Sequence, residues 1–326
     1  MASSQSLIVL TFLSGLAVPF VYGDGGSLWA PGVSANGGWI DVNKAHVPYS
    51  WEDAWEVGNG NTNSRTDASM CWAAQASNML QYWQNAYMAA GNRLPDGAPN
   101  GLVVGREDKT RRQYQIFEYF VGNWTDRGGD GEYGISWYFC GGFAGNYPTG
   151  YGWSECFGGM EKGGFFTDIY STPEALIGGD YKSYDFTHKN DTSGFSDLLS
   201  FSSLLITCLR DEQAVAGLNI YIPQTTGNSL KHAVTLWGCD YDAAGLVSTV
   251  YLTDSDDGEV ALKAFGLSED ANGVYLTDYS DAGLTRIQDL SMLSVSRFMP
   301  IPEPSVFGLF AGMLTLGFAS SRRRKY

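Results

Sequence analysis

Between Cys71 and Ala90, Trp72, Gln75/Ala76, Met79/Leu80 and Trp83 recur about one helical turn apart, which predicts a helix with one buried face. A second helix is expected over 109–121, on the aromatic spacing of Tyr114, Phe117 and Tyr119/Phe120, and a third over 196–210. Residues 122–165 are dense in glycine and aromatics and read as loops and short strands, as does the stretch up to Arg65, with Trp39, Trp51 and Trp55. The last third changes period. AVAGLNIY, HAVTLWGCDYD and VSTVYLTDSD are β-branched and aromatic runs with turn residues between them, so they predict antiparallel strands. Helices first and a sheet afterwards is the order of an α+β fold, and no internal repeat or Ser/Pro linker divides residues 24–301, which read as one domain.

Both ends break the pattern. Residues 1–23 contain no charged side chain, carry an apolar run from Leu7 to Phe20 and finish in small residues, as a secretory signal peptide would. After Ile301, Pro302-Glu303-Pro304 leads into an apolar stretch, Val306 to Ser320, stopped by Arg322, Arg323, Arg324 and Lys325. That stretch is shorter than the ~20 residues a spanning helix needs, and the positive-inside rule keeps its basic end cytoplasmic. The Pro-Glu-Pro, apolar segment and terminal arginines of residues 302–326 resemble the PEP-CTERM sorting signal of Gram-negative bacteria. The resemblance implies export, recognition by an exosortase-type sorting enzyme, transient membrane contact through the tail, and a final place in the cell envelope or the medium.

Composition narrows the chemistry. A 326-residue chain that is 44% hydrophobic can bury a substantial core, and a formal charge of −15 with no basic cluster before the tail argues against nucleic acid as a partner. Five cysteines suit an exported protein with one reactive thiol and four that pair. Cys140 and Cys156 bracket a Gly- and aromatic-rich loop that a disulfide would stabilise by ~3 kcal/mol, whereas Cys208 and Cys239 read as buried thiols.

Cys71 is the candidate nucleophile. Ser69 or Asp67 could cap its helix, leaving the thiol in the first turn, where free N–H groups and the helix dipole favour a thiolate and could stabilise an oxyanion. A thiolate needs an imidazole partner, and the chain has three histidines. His46 and His188 lie in polar, turn-rich stretches and read as surface residues; His232 heads HAVTLWG, where a strand would hold it rigidly. The next strand, YLTDSD, ends in Asp254 and Asp256 on one face, either of which could accept the second imidazole N–H. A calcium-loop reading of Asp254–Gly258 fails because Gly258 stands where a third carboxylate is needed. With no Cys/His cluster at ligand spacing, no metal or cofactor is expected.

Three blocks, CWAAQASNMLQYW, GLNIYIPQTTGNSLKHAVTLWGCDYD and VYLTDSD, resemble the immunoglobulin-degrading cysteine endopeptidases of the IdeS/Mac type, over roughly Gly38 to Arg297. The resemblance implies a papain-like cysteine protease fold, in which an N-terminal helix carrying the cysteine packs on an antiparallel sheet carrying the histidine and aspartate. It implies Cys71 as nucleophile, His232 as base, Asp254 as the orienting carboxylate, Asp256 as a second supporting one, and a protein substrate. The family also places a lysine about ten residues before the nucleophile to assist the oxyanion hole. Here no lysine occurs between Lys44 and Lys109, and Arg65, Asn61 or Asn63 stand as substitutes. Two other readings share the sequence: a transglutaminase-like acyl transferase with the same Cys-His-Asp order, and a non-catalytic envelope module whose aromatic loops stack on glycans.

Overall fold

The computed structural model describes residues 25–45, 67–105, 112–126, 128–142, 156, 162–186 and 197–299. His46, His188, the signal-like and tail segments, and the candidate substitutes Asn61, Asn63 and Arg65 lie outside the described residues. No helix among the described residues is long and apolar enough to cross a membrane.

A short strand, β1 (Gly26–Trp29), precedes the helical part, made of α1 (Cys71–Ala89), α2 (Gln115–Val121), α3 (Gly131–Cys140) and the single turn α4 (Pro173–Leu176). Strand β2 (Tyr181–Asp185) and helix α5 (Leu198–Ile206), which runs into a π-helical turn at Thr207–Asp211, lead to β3 (Ala214–Pro223), β4 (Ser229–Tyr241), β5 (Val247–Thr253), β6 (Lys263–Asp270), β7 (Gly273–Leu276) and β8 (Thr285–Ser294). Strands β4, β3, β8, β7, β6 and β5 pair in that order, all antiparallel, and β5 pairs back onto β4 to close a barrel. Closure removes the free edges that an open sheet would expose. β1 extends β4 and β2 extends β8.

The predicted helix over 71–90 is present but is not one-faced: 14 of its 19 residues are buried. An all-round buried helix must satisfy its polar side chains internally, and α1 does so through the amide nitrogens of Gln75, Asn78 and Gln84. Gln75 Nε2 donates to Leu218 O (3.0 Å) and Val234 O (2.9 Å), bridging β3 and β4. Asn78 Nδ2 donates to Thr235 Oγ1 (2.9 Å) while its Oδ1 accepts from Val42 N (3.0 Å), and Gln84 Nε2 donates to Tyr138 Oη (2.6 Å). Gln75 and Asn78 fix the helix against the barrel in one register, and Gln84 ties it to α3. Gly217 on β3 is required by the closeness, since a Cβ there would stand 2.7 Å from the Gln75 amide.

Four further expectations are corrected. The helix expected over 109–121 begins only at Gln115, and the one expected over 196–210 is α-helical only from Leu198 to Ile206. The glycine-dense stretch contains a helix, α3, started by Asp130, whose side chain accepts from Glu132 N (2.9 Å) and buries Ile135, Trp137, Tyr138 and Phe139. Its Gly134 is a contact residue: a Cβ would lie 2.8 Å from the Trp72 indole and 3.0 Å from Phe120. All five cysteines are free thiols, so the expected Cys140–Cys156 bridge is not formed; Cys140 ends α3, where burial pushes its thiol up to about 12. Cys208 and Cys239 are buried, as the sequence suggested.

Candidate active site

β5 ends at Thr253, opposite Thr235 of β4, while β4 continues three residues further to His232. The chain leaving β5 turns beside that uncovered part of β4. Asp254 and Asp256 therefore lie just past the strand, not in its alternating ladder as expected, and Asp256 N donates to Asp254 Oδ1 (2.9 Å) to close the turn. His232 Nε2 lies 2.7 Å from the same Asp254 Oδ1, and its Nδ1 lies 3.8 Å from Asp256 Oδ2. His232 is buried, and burial alone would lower its pKa; the hydrogen bonds to Asp254 and to Cys71 outweigh this and raise it well above the ordinary imidazole range.

Cys71 is the first residue of α1, partly exposed. Neither capping candidate caps: Met70 holds the N-cap position with no side-chain bond. Asp67 instead accepts from Ala45 N (2.6 Å) and pairs with Arg112 Nε (2.7 Å), and the loop before the thiol is held by Asp126, which accepts from Ala68 N (3.1 Å) and Ser69 N (2.6 Å). Burial would raise the thiol's pKa. The hydrogen bond with His232, the imidazolium charge and the charge of Lys44 together bring it below its ordinary value. With Nε2 turned to Asp254, Nδ1 is the imidazole nitrogen left for the thiol. The arrangement favours a thiolate–imidazolium pair at a helix start, where backbone N–H groups lack intrahelical acceptors.

Lys44 is the residue that sequence reasoning missed. Its side chain is 2% exposed, and its Nζ sits 2.6 Å from Asp256 Oδ1 and 2.6 Å from Ala68 O. The strap bearing it is pinned along its length: Gln113 Nε2 donates to Asp41 O, Asn78 receives Val42 N, Asn43 Nδ2 donates to Glu259 O, and Lys44 N donates to Ser255 O. Lys44 lies much further from Cys71 in the sequence than the roughly ten residues the resemblance implies, and the fold brings the two together across the segment between Lys44 and Asp67. No periodic signal marks the strap, although residues 40–44 are all buried.

Cys71, His232, Lys44 and Asp256 open on a cleft of about 720 Å³ between the barrel and the loop ahead of α3, walled by Trp72 and Gly129. A Cβ at Gly129 would stand 2.6 Å from the Trp72 indole, so the wall admits only glycine there without moving the ring. His232, Asp254 and Asp256 each offer a ligand atom within 4.8 Å of the others, the geometry of a three-ligand metal site. The donors are already engaged, however: Asp254 faces the imidazole, and the Lys44 ammonium occupies the cation position beside Asp256.

Residues 199–281 match the Mac-1 family. The matched segment includes His232, Asp254 and Asp256 and stops short of Lys44 and Cys71. An IgM protease of Streptococcus suis (strain P1/7) is 24% identical to the chain over 277 residues, which is 76% of this chain and 22% of the relative. The chain thus spans about a fifth of that relative's length. Together the two matches support an IdeS/Mac-type relationship.

Proposed function

We propose that the protein is an exported, papain-like cysteine endopeptidase. The observation that carries this reading is the single imidazole of His232, shared between the Cys71 thiol and the Asp254 carboxylate, with both partners held by different elements of a rigid scaffold. In the proposed reaction the Cys71 thiolate attacks a peptide carbonyl in the cleft, and the negative charge moves to the carbonyl oxygen near the start of α1 and the Lys44 ammonium. His232 then protonates the leaving amine, and the C–N bond breaks to give a thioester on Cys71. A water deprotonated by His232 attacks the thioester, releasing the acid and returning the pair to its starting state. Asp254 holds the imidazole in the required tautomer, and Asp256 holds Lys44. Export rests on the charge-free first 23 residues and the Pro-Glu-Pro tail, and the tail makes an exosortase-type enzyme the expected partner.

The test is product analysis. The chain lacking its two end segments is incubated with a mixed proteome and with immunoglobulins, beside Cys71→Ala, and new termini are mapped. New N-termini that depend on Cys71 support the reading. Isopeptide bonds instead mean acyl transfer to amines, and polysaccharide binding with no Cys71-dependent product means a non-catalytic module.

A further inference from the structure

The Asp254 carboxylate has a second partner on the far side from His232. Its Oδ1 serves His232 and Asp256 N, while its Oδ2 accepts a hydrogen bond from the Tyr279 hydroxyl. Tyr279 sits in the loop between β7 and β8, immediately after Asp278, which takes a left-handed φ of 60° where the chain turns. Non-glycine residues rarely hold that conformation without a compensating contact. The Tyr279 ring packs against Phe265 of β6, centroids 5.0 Å apart, so the hydroxyl is aimed by the barrel itself.

We propose that Tyr279 is a positioning residue for the candidate catalytic pair, acting through Asp254: it locks the carboxylate plane so that Oδ1 stays on the imidazole. The inference rests on the reading of Cys71, His232 and Asp254 as the reactive set, but it concerns how that set is held and not what it cleaves. A carboxylate with one strong partner can rotate about its last bond. One gripped at both oxygens cannot, and its charge stays where it supports the imidazolium. Burial and the Asp254 charge both raise the Tyr279 pKa, so its hydroxyl keeps its proton and remains a donor at any working pH. Removing the donor leaves Asp254 a less stabilised anion and His232 a less firmly held cation, and the Cys71 thiol then returns toward its ordinary pKa.

The experiment reads Cys71 alkylation by iodoacetamide against pH, which needs no substrate and therefore separates failure of this inference from failure of the protease reading. Tyr279→Phe keeps the ring packed against Phe265 and removes only the hydroxyl. Its acid limb should move to higher pH, lowering the alkylation rate at a fixed pH on that limb about three- to tenfold, the factor that follows from a shift of roughly half to one unit. In an Asp254→Asn background the same change should alter the rate less than about twofold, because a residue acting through Asp254 has nothing left to act on. An unchanged acid limb in Tyr279→Phe overturns the proposal, and so does an equal effect in both backgrounds, which would mark a purely structural role. If Tyr279→Phe fails to fold, proton NMR of the otherwise intact chain decides: a downfield hydroxyl resonance that vanishes in Asp254→Asn supports the bond, and its absence overturns it.

Discussion

Asp41 is the buried carboxyl whose replacement gives the most quantitative prediction. It lies on the strap that carries Lys44, 1% exposed, with Oδ2 accepting from Ala261 N (2.9 Å) and Oδ1 without a hydrogen-bond partner. Burial is the main cause that raises its pKa from 3.8 to about 8, with the charges of Asp257 and Asp254 adding to it and the Ala261 N–H opposing. The folded chain therefore holds a proton that the unfolded chain has released anywhere between pH 4 and 8. A raised carboxyl pKa means that stability falls as pH rises through that window, by about 1.4 kcal/mol per unit, and levels off above the folded pKa. At pH 7 the cost is about 4 kcal/mol and at pH 4 under about 1 kcal/mol, from the unfolded value of 3.8 and the folded value of about 8. Asp41→Asn has nearly the shape of the protonated acid and no titration, and its oxygen can still accept from Ala261 N. Urea unfolding of both chains at pH 4, 5.5 and 7 should therefore show the Asn variant gaining on the parent by roughly 3–4 kcal/mol between the lowest and highest pH. The other raised carboxyls, Asp130, Glu132 and Asp289, are common to both chains and cancel in the difference. A stability difference that does not change with pH would mean that Asp41 is ionised in the fold and that the reasoning from burial is wrong.

Two further outcomes follow from the site. Asp254→Asn should leave the fold intact and lower turnover on the order of a thousandfold, whereas Asp256→Asn should cost less because it spares the 2.7 Å His232–Asp254 contact; kcat for the two variants beside melting curves checks this, and the reverse ranking would exchange the two roles. Lys44→Met should lower kcat about a hundredfold with little change in KM, as loss of a transition-state donor does, and should move the acid limb of Cys71 alkylation upward because a lowering charge is gone; a change in KM alone would make Lys44 a binding residue.

The candidate site was legible in the sequence wherever local pattern fixes geometry. Cys71 at the start of a periodic run, His232 in a β-branched strand and Asp254 at the end of the next strand are set by helix and strand order, and the structure brings all three together. What escaped depends on contacts between distant segments. Lys44 reaches the site through a pinned strap with no period of its own. Tyr279 arrives from a turn-rich loop only because the barrel closes, and nothing in LTDYSD marks it. Helix α3 was hidden by Gly131, Gly134 and Gly141, glycines that read as breakers. Of these, Gly134 meets Trp72 and Phe120 at close range, and Gly141 ends the helix at a φ of 70°. One-sided burial of α1 was expected from the Trp72, Gln75/Ala76, Met79/Leu80 and Trp83 spacing, whereas Asn78 and Gln84, off that face, are also buried and bond to the barrel, the strap and Tyr138.

The central claim is that Cys71 is a thiolate near neutral pH because His232 makes it one. Timed labelling with iodoacetamide at pH 6–7, read by peptide mass spectrometry on the parent and on His232→Ala, tests it directly. Cys71 should react well ahead of Cys140, Cys156, Cys208 and Cys239, and the advantage should disappear in His232→Ala as the thiol returns toward its ordinary value of 9.0. Labelling of Cys71 no faster than the other accessible thiols, or a rate unaffected by loss of His232, would contradict the account.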